Sequence, residues 1–273
     1  MGRDTPSQKA VRDLRLWGPS APAHKVLTYA RERSDGALMG KSIQSRRPPA
    51  DLQNRSFRRM VDFGKHRTAG TGYMSYSDRA GPSVIVLHEF FGLQQSFMTY
   101  ADRLNEEGFT VLAPDLYDGT IADSVDSARA MARSLDAERT IGKIKAAAEH
   151  LTDNWHPRLG VVGFSLGASF AVELAQDLPT EGAVLYYGLG DFDLKRWNSP
   201  CLGHFAEQDE WEPRPDAEAA FAELEKLDVD VEMHLYPGVG HWFANADVLS
   251  AYDPPAAELA FERTVDFFHH YLS

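Results

Sequence analysis

The segment Leu159–Phe170 reads LGVVGFSLGASF. Its first six residues are apolar or glycine, the composition of a strand buried on both faces of a parallel sheet. From Leu166 onward, small and apolar residues continue in a helical pattern. Between the two lies Gly163-Phe164-Ser165-Leu166-Gly167, a G-x-S-x-G turn. In a strand-to-helix setting such a turn holds its serine in a strained conformation. The glycines two residues to either side let neighbouring backbones approach without a Cβ clash. The turn lifts the Ser165 hydroxyl clear of the sheet, and the following helix N-terminus favours developing negative charge. Ser165 is the candidate nucleophile, set against the plainer alternative of a tight structural turn.

The surrounding chain repeats the strand–helix alternation. SVIVLHE and FTVLAPDLY are continuous apolar runs that predict buried strands. SFMTYADRLNEEG, with apolar residues at Phe97, Tyr100, Ala101 and Leu104, predicts a helix stopped by Gly108. Two helical stretches follow, SVDSARAMARSL and AERTIGKIKAAAEHL. Beyond the serine come strands GAVLYYG, SPCLGHF and VDVEMHLY, and helices DAEAAFAELEKL and PAAELAFERTVDFFHHYL. Upstream, VDFG and GTGYMSYSD predict two edge strands. The pattern is that of an α/β protein, a mostly parallel central sheet with helices on both faces. Ligands of such sheets bind at the carboxyl ends of the strands.

Composition bounds the function classes. Hydrophobic residues make up 43% of the 273 and charged residues 25%, ordinary for a globular chain. No apolar run approaches 18 residues, which argues against a membrane span. MGRDTPSQKAVRDLRLWG lacks an apolar core of the secretory type. The single cysteine, Cys201, precludes an intramolecular disulfide and a cysteine-rich zinc site, and suits a reducing compartment; a cytoplasmic location is expected. The net charge of −12 is unevenly spread. Residues 1–59 carry 13 Lys+Arg against 5 Asp+Glu, and the remainder 15 against 35. A body that acidic repels nucleic acid.

Residues 1–57 hold few aliphatics and many Arg, Ser, Pro and Gly, so they are expected to form a disordered basic extension ahead of a catalytic domain at 58–273. Alternatives are translation from Met60, a basic partner-binding arm, or an organelle transit peptide, against which the five acidic residues count.

A serine hydroxyl needs a base. The α/β-hydrolase chain order of nucleophile, acid and histidine places it after Ser165. His204 and His234 fall in strands, and His269 and His270 ride the last helix. His241 follows a strand on the loop YPGVGH, whose Pro and Gly set a fixed turn, and is the candidate base. The orienting acid belongs on the loop HFAEQDEWEP, where Glu207, Asp209 and Glu210 all remain open. The oxyanion donors are expected at the backbone N–H groups of Leu166 and of Phe90, the latter on the loop after SVIVLHE. Glu89, a carboxylate directly after a buried strand, is either functional or a satisfied structural acid.

Together VIVLHEFFGL, YADRLNEEGFTVLAPDLYDG, GVVGFSLGA, AVLYYG, HFAEQDEWEP, YPGVGHWFAN and FERTVDFF resemble, in order and over about residues 60–273, the dienelactone hydrolase family of α/β-hydrolases. The resemblance implies Asp209 as the acid and His241 as the base, with Glu89 as the family's buried glutamate, which contacts the nucleophile at rest. It also implies Phe90 and Leu166 as oxyanion donors. Two departures stand out. Well-known members carry a cysteine nucleophile where this chain has Ser165, and a substrate-binding arginine where it has Asn245. Arg129 lies in the region of the family's second such arginine. The expectation is a serine hydrolase of small esters or lactones with no cofactor and no metal, and with a small-molecule ester as its partner. The change at Asn245 predicts a preference for neutral substrates. The rival readings are a general carboxylesterase, thioesterase or short-peptide hydrolase, and a catalytically silent binding module of the same fold.

Overall fold

The buried runs form the middle of a sheet because their alternate side chains serve two cores at once. The computed structural model describes residues 55–190, 193 and 195–273, so the expectations for residues 1–54 lie outside the described residues. In chain order the elements are β1 (Ser56–Phe63), β2 (Gly70–Ser77), β3 (Ser83–Leu87), α1 (Gln95–Glu106), β4 (Thr110–Pro114), α2 (Val125–Ser134) and α3 (Ala137–Asn154). Then follow β5 (Leu159–Phe164), α4 (Leu166–Asp177), β6 (Gly182–Tyr186), β7 (Cys201–Ala206), α5 (Arg214–Leu224), β8 (Val231–Tyr236) and α6 (Pro254–Leu272). The strand order is β1-β2-β4-β3-β5-β6-β7-β8. The β1–β2 and β2–β4 pairs are antiparallel and the rest are parallel.

Along β3, Val84 and Val86 pack with Phe97, Tyr100 and Leu104 of α1 and Phe261 and Phe268 of α6. Ile85 and Leu87 face the opposite layer, with Ile144 and Leu151 of α3, Phe170 and Leu174 of α4 and Phe221 of α5. Each such fully buried aliphatic contributes about 1.5–3 kcal/mol. The helices have clear starts. The Ser124 side chain caps α2 and exchanges hydrogen bonds with Ser127. Asp136 caps α3, and Asp253 caps α6 ahead of a proline.

The edge differs from the sequence expectation in two respects. Of the two strands expected there, β1 is at the edge and β2 lies inside, between β1 and β4; β8 forms the opposite edge. Strand β1 also begins at Ser56, within the stretch read as an extension. Its side chains are mostly exposed, so no apolar pattern marks it. Backbone pairing with β2, from Ser56 opposite Ser77 to Phe63 opposite Gly70, builds it instead.

The parallel register brings five strand ends to one edge of the sheet. Leu87 pairs with Gly163, Phe164 with Tyr186, Tyr186 with His204, and Ala206 with Tyr236. The loops after β3, β5, β6, β7 and β8 therefore converge. Among the described residues no helix is long and apolar enough to cross a membrane.

Candidate active site

Ser165 sits in the turn between β5 and α4 with φ 50° and ψ −114°, a left-handed conformation that costs a non-glycine residue about 1–3 kcal/mol. Its N–H donates to the Tyr186 carbonyl on β6 (2.9 Å), and its own carbonyl accepts from the Ala168 N–H (2.9 Å). The flanking glycines are needed for contact. A Cβ on Gly163 would lie 2.3 Å from the Gly167 carbonyl oxygen, and one on Gly167 would lie 2.3 Å from that of Leu87. Helix α4 is thus pressed against the ends of β3 and β5, and its first residue, Leu166, has a backbone N–H with no intrahelical acceptor.

The Ser165 hydroxyl meets His241 Nε2 at 2.9 Å, and His241 Nδ1 meets Asp209 Oδ2 at 2.8 Å. A carboxylate only accepts, so Nδ1 carries the imidazole proton and Nε2 offers its lone pair to the serine O–H. Asp209 is held by its other oxygen, Oδ1, which accepts the N–H groups of Trp211 (2.8 Å) and Glu212 (2.9 Å). Both side chains are almost wholly buried, 3% exposed for His241 and 1% for Asp209. Glu207 and Glu210, the other acids of the loop, are exposed to solvent. The remaining histidines go elsewhere. His204 bonds Tyr236 and Thr264, His234 pairs with Glu232, and His269 and His270 are exposed. Cys201 is buried in β7, which pushes its thiol far above the ordinary range and leaves it no part in the site.

Phe90 follows the end of β3, inside a turn closed by the Gly92 N–H on the Glu89 carbonyl (3.2 Å). His88, which the sequence reading passed over, anchors this turn. Its Nε2 accepts from the Leu116 N–H (3.1 Å), so Nδ1 carries the proton and donates to the Glu89 carbonyl (2.7 Å). Burial lowers its pKa to about 4 and keeps it neutral. The HE pair directly after a buried strand was the only signal for it.

Glu89 is fully buried, and burial pushes its carboxyl up to about 8 despite the hydrogen bonds it accepts. Those bonds come from Asn245 Nδ2 (2.8 Å) and the Tyr187 hydroxyl (3.3 Å), while Ser165 bonds His241. Asn245 is also fully buried. It donates a second bond to Gln94 Oε1 (3.0 Å) and accepts from the Ser96 hydroxyl and the Asp247 N–H (2.9 Å each). Its amide is saturated within the protein and offers no free donor to a substrate.

Aromatic rings wall the histidine. Tyr187 (4.9 Å between centroids), Trp242 (5.0 Å) and Trp211 (5.9 Å) surround it, and Phe90 stacks on Trp242 at 5.8 Å. The Arg129 guanidinium lies over Trp211 at 4.8 Å, one indole away from His241. Its Nη1 is 4.0 Å from the exposed Asp126, while Nε and Nη2 are buried without a hydrogen-bond partner. Glu212, likewise missed in the sequence, is buried. It accepts from the Leu189 N–H (3.1 Å), and burial reinforced by Asp209 raises its carboxyl to about 8. Among the described residues no group of three or more His, Cys, Asp or Glu side chains is placed to hold a metal ion.

The sequence profile of the dienelactone hydrolase family matches residues 71–272. "Protein usf" of Aquifex pyrophilus is 31% identical over 229 residues, covering 78% of this chain and 99% of that one. A carboxymethylenebutenolidase of Pseudomonas putida is 29% identical over 201 residues, covering 68% and 84%. Among solved structures, a dienelactone hydrolase-like promiscuous phosphotriesterase from metagenomic libraries superposes with a TM-score of 0.72. It is 22% identical, over 80% of this chain and 99% of that one, and shares the fold.

Proposed function

This chain belongs to the dienelactone hydrolase family, and from that premise we propose that it hydrolyses small carboxylic esters or lactones through a Ser165 acyl-enzyme. The observation that carries the reading is the unbroken hydrogen-bonded line from Ser165 Oγ through His241 to Asp209 at the strand–helix turn. In the first step Oγ attacks the carbonyl carbon while His241 Nε2 takes its proton, and Asp209 stabilises the imidazolium. The N–H groups of Phe90 and Leu166 receive the oxyanion of the tetrahedral intermediate. Collapse expels the alkoxide, which takes the proton back from Nε2. Water then attacks the acyl-enzyme by the same route and frees the acid and Ser165.

Arg129 favours a substrate that carries a carboxylate. A half-buried guanidinium whose Nε and Nη2 lack hydrogen-bond partners suits a bidentate anion, and its position above Trp211 puts that anion on the rim of the aromatic wall. This reading runs against the preference for neutral substrates expected from Asn245, and kinetics on one ester with and without a carboxylate decide between them.

The test is labelling with a fluorophosphonate followed by mass mapping. The adduct belongs on Ser165, and Ser165→Ala should fold normally and lose about 10³-fold or more in kcat. Thiol reagents should leave activity intact. An adduct elsewhere, or full activity in Ser165→Ala, would overturn the reading and favour a silent binding module or a different nucleophile.

A further inference from the structure

Two loops carry groups that the proposed reaction needs in register: Glu89–Gln94, which includes the Phe90 N–H, and His241–Asp247, which begins with the base. A single side chain bonds both. Asn245, four residues beyond His241, gives one Nδ2 hydrogen to Glu89 (2.8 Å) and the other to Gln94 (3.0 Å), so it spans both ends of the first loop. Its Oδ1 accepts from Ser96 and from the Asp247 N–H (2.9 Å each), while Asp247 Oδ2 accepts the Ser96 N–H (2.8 Å). The start of α1 is thereby fastened to the same knot. All four hydrogen-bonding positions of the amide are used in a fully buried setting. That fixes both its orientation and the separation of the loops.

We propose that Asn245 is a positioning residue of the hydrolytic site: its amide ties the Phe90 loop to the His241 loop and holds oxyanion donor and base in register across the scissile carbonyl. The inference rests on the hydrolytic reading above. Asn245 is fully buried with its amide fully bonded inside the protein, so the tie should act on kcat rather than on KM. Misplacement of a reacting group by about 1 Å costs on the order of 10²-fold in rate.

The tie has a pH signature in the isosteric variant. In Asn245→Asp the new carboxyl faces Glu89 where an N–H donor stood, and two carboxyls so close share one proton. While the proton is shared, an O–H donates to Glu89 and that half of the tie survives, although the bond to Gln94 is lost. Once it leaves, the two carboxylates repel and the loops part. The other groups facing Glu89 are the Tyr187 and Tyr117 hydroxyls, the Asp247 carboxyl and neighbouring His88. Burial keeps both phenols protonated and His88 neutral between pH 6 and 9. In the wild type, ionisation of Glu89 only strengthens the bond from Asn245, because it becomes charge-assisted.

The experiment measures kcat and KM on one aryl ester at about pH 6 and 9 for wild type, Asn245→Leu, Asn245→Asp and Ser165→Ala, with thermal melts to count folded enzyme. Asn245→Leu should lose roughly 10- to 100-fold in kcat with KM within about threefold. Asn245→Asp should stay within about fivefold of wild type at the lower pH and fall at least about tenfold behind it at the higher. If Asn245→Leu does not fold, the pH split of Asn245→Asp decides alone. Variants that match wild-type kcat per folded molecule at both pH values, whatever their melting temperature, overturn the proposal. Activity in Ser165→Ala equal to wild type instead refutes the hydrolytic reading itself, and so separates the two failures.

Discussion

Asp209→Asn is the substitution whose effect the geometry specifies most closely. Asp209 Oδ1 is pinned by two backbone N–H groups, from Trp211 at 2.8 Å and Glu212 at 2.9 Å. An asparagine amide has one oxygen, and those two donors claim it. Its NH₂ must then take the place of Oδ2, 2.8 Å from His241 Nδ1, and present a hydrogen where an acceptor stood. The imidazole can meet that donor only through an unprotonated Nδ1, which moves its proton to Nε2 and aims an N–H at Ser165. The base is then in the wrong tautomer with its geometry intact. Loss of the correct tautomer costs about 10⁴-fold in kcat, or about 5 kcal/mol of transition-state stabilisation. The fold is barely affected, because the amide fills the same volume and keeps both backbone bonds, and Tm should move by less than about 3 °C. Asp209→Ala provides the contrast. It abandons both N–H groups in a buried loop at about 1–3 kcal/mol each, so Tm should fall by several degrees. The assay pairs steady-state hydrolysis of an aryl ester with the rate of fluorophosphonate labelling and a thermal melt. If Asp209→Asn stays within about tenfold of wild type while folded, the imidazole is not oriented through Asp209 and the argument is wrong.

Three further outcomes follow from single contacts. Arg129→Met should raise KM for a carboxylate-bearing ester about tenfold or more, the scale of a hydrogen bond to a charged group, and leave its neutral analogue within about twofold; equal effects on both would remove Arg129 from substrate binding. Glu89 binds its proton more tightly folded, at about 8 against an ordinary 4.5, so the unfolded state holds fewer protons between those values and stability falls as pH rises through that window. Glu89→Gln should remove a slope of up to about 1.4 kcal/mol per pH unit, with the Glu212 contribution common to both proteins; denaturation curves at pH 5 and 7.5 that shift in parallel would contradict it. Gly163→Ala places a Cβ 2.3 Å from the Gly167 carbonyl oxygen, where only backbone can give way, so about 1–3 kcal/mol of stability and most of the activity should be lost together. A variant that keeps wild-type kcat would show that the turn tolerates a shift.

The local features were legible in the amino-acid sequence because their causes are local. A run such as LGVVGF must bury both faces, and G-x-S-x-G joins it to a helix through a turn that only close-packed glycines allow. The spans of β5 and α4 therefore agree with the residues read for them. Strand β1 was half hidden, because its exposed side chains carry no period and its partner, not its composition, makes it a strand. On the loop after β7, three acids were equivalent in residue type, and only the family resemblance separated them. Three-dimensional placement separates them physically: Asp209 has two backbone donors on one oxygen and an imidazole on the other, while Glu207 and Glu210 face solvent. Asn245 shows the limit most clearly. In sequence it is a missing arginine, and from that a substrate charge was inferred. In the fold it is a buried amide spending all four of its hydrogen bonds on residues 89, 94, 96 and 247. Residue type and spacing report what a side chain could bond. Which groups it does bond is decided by loops from distant strands meeting at one edge of the sheet, and that meeting exists only once β3, β5, β6, β7 and β8 are paired in register.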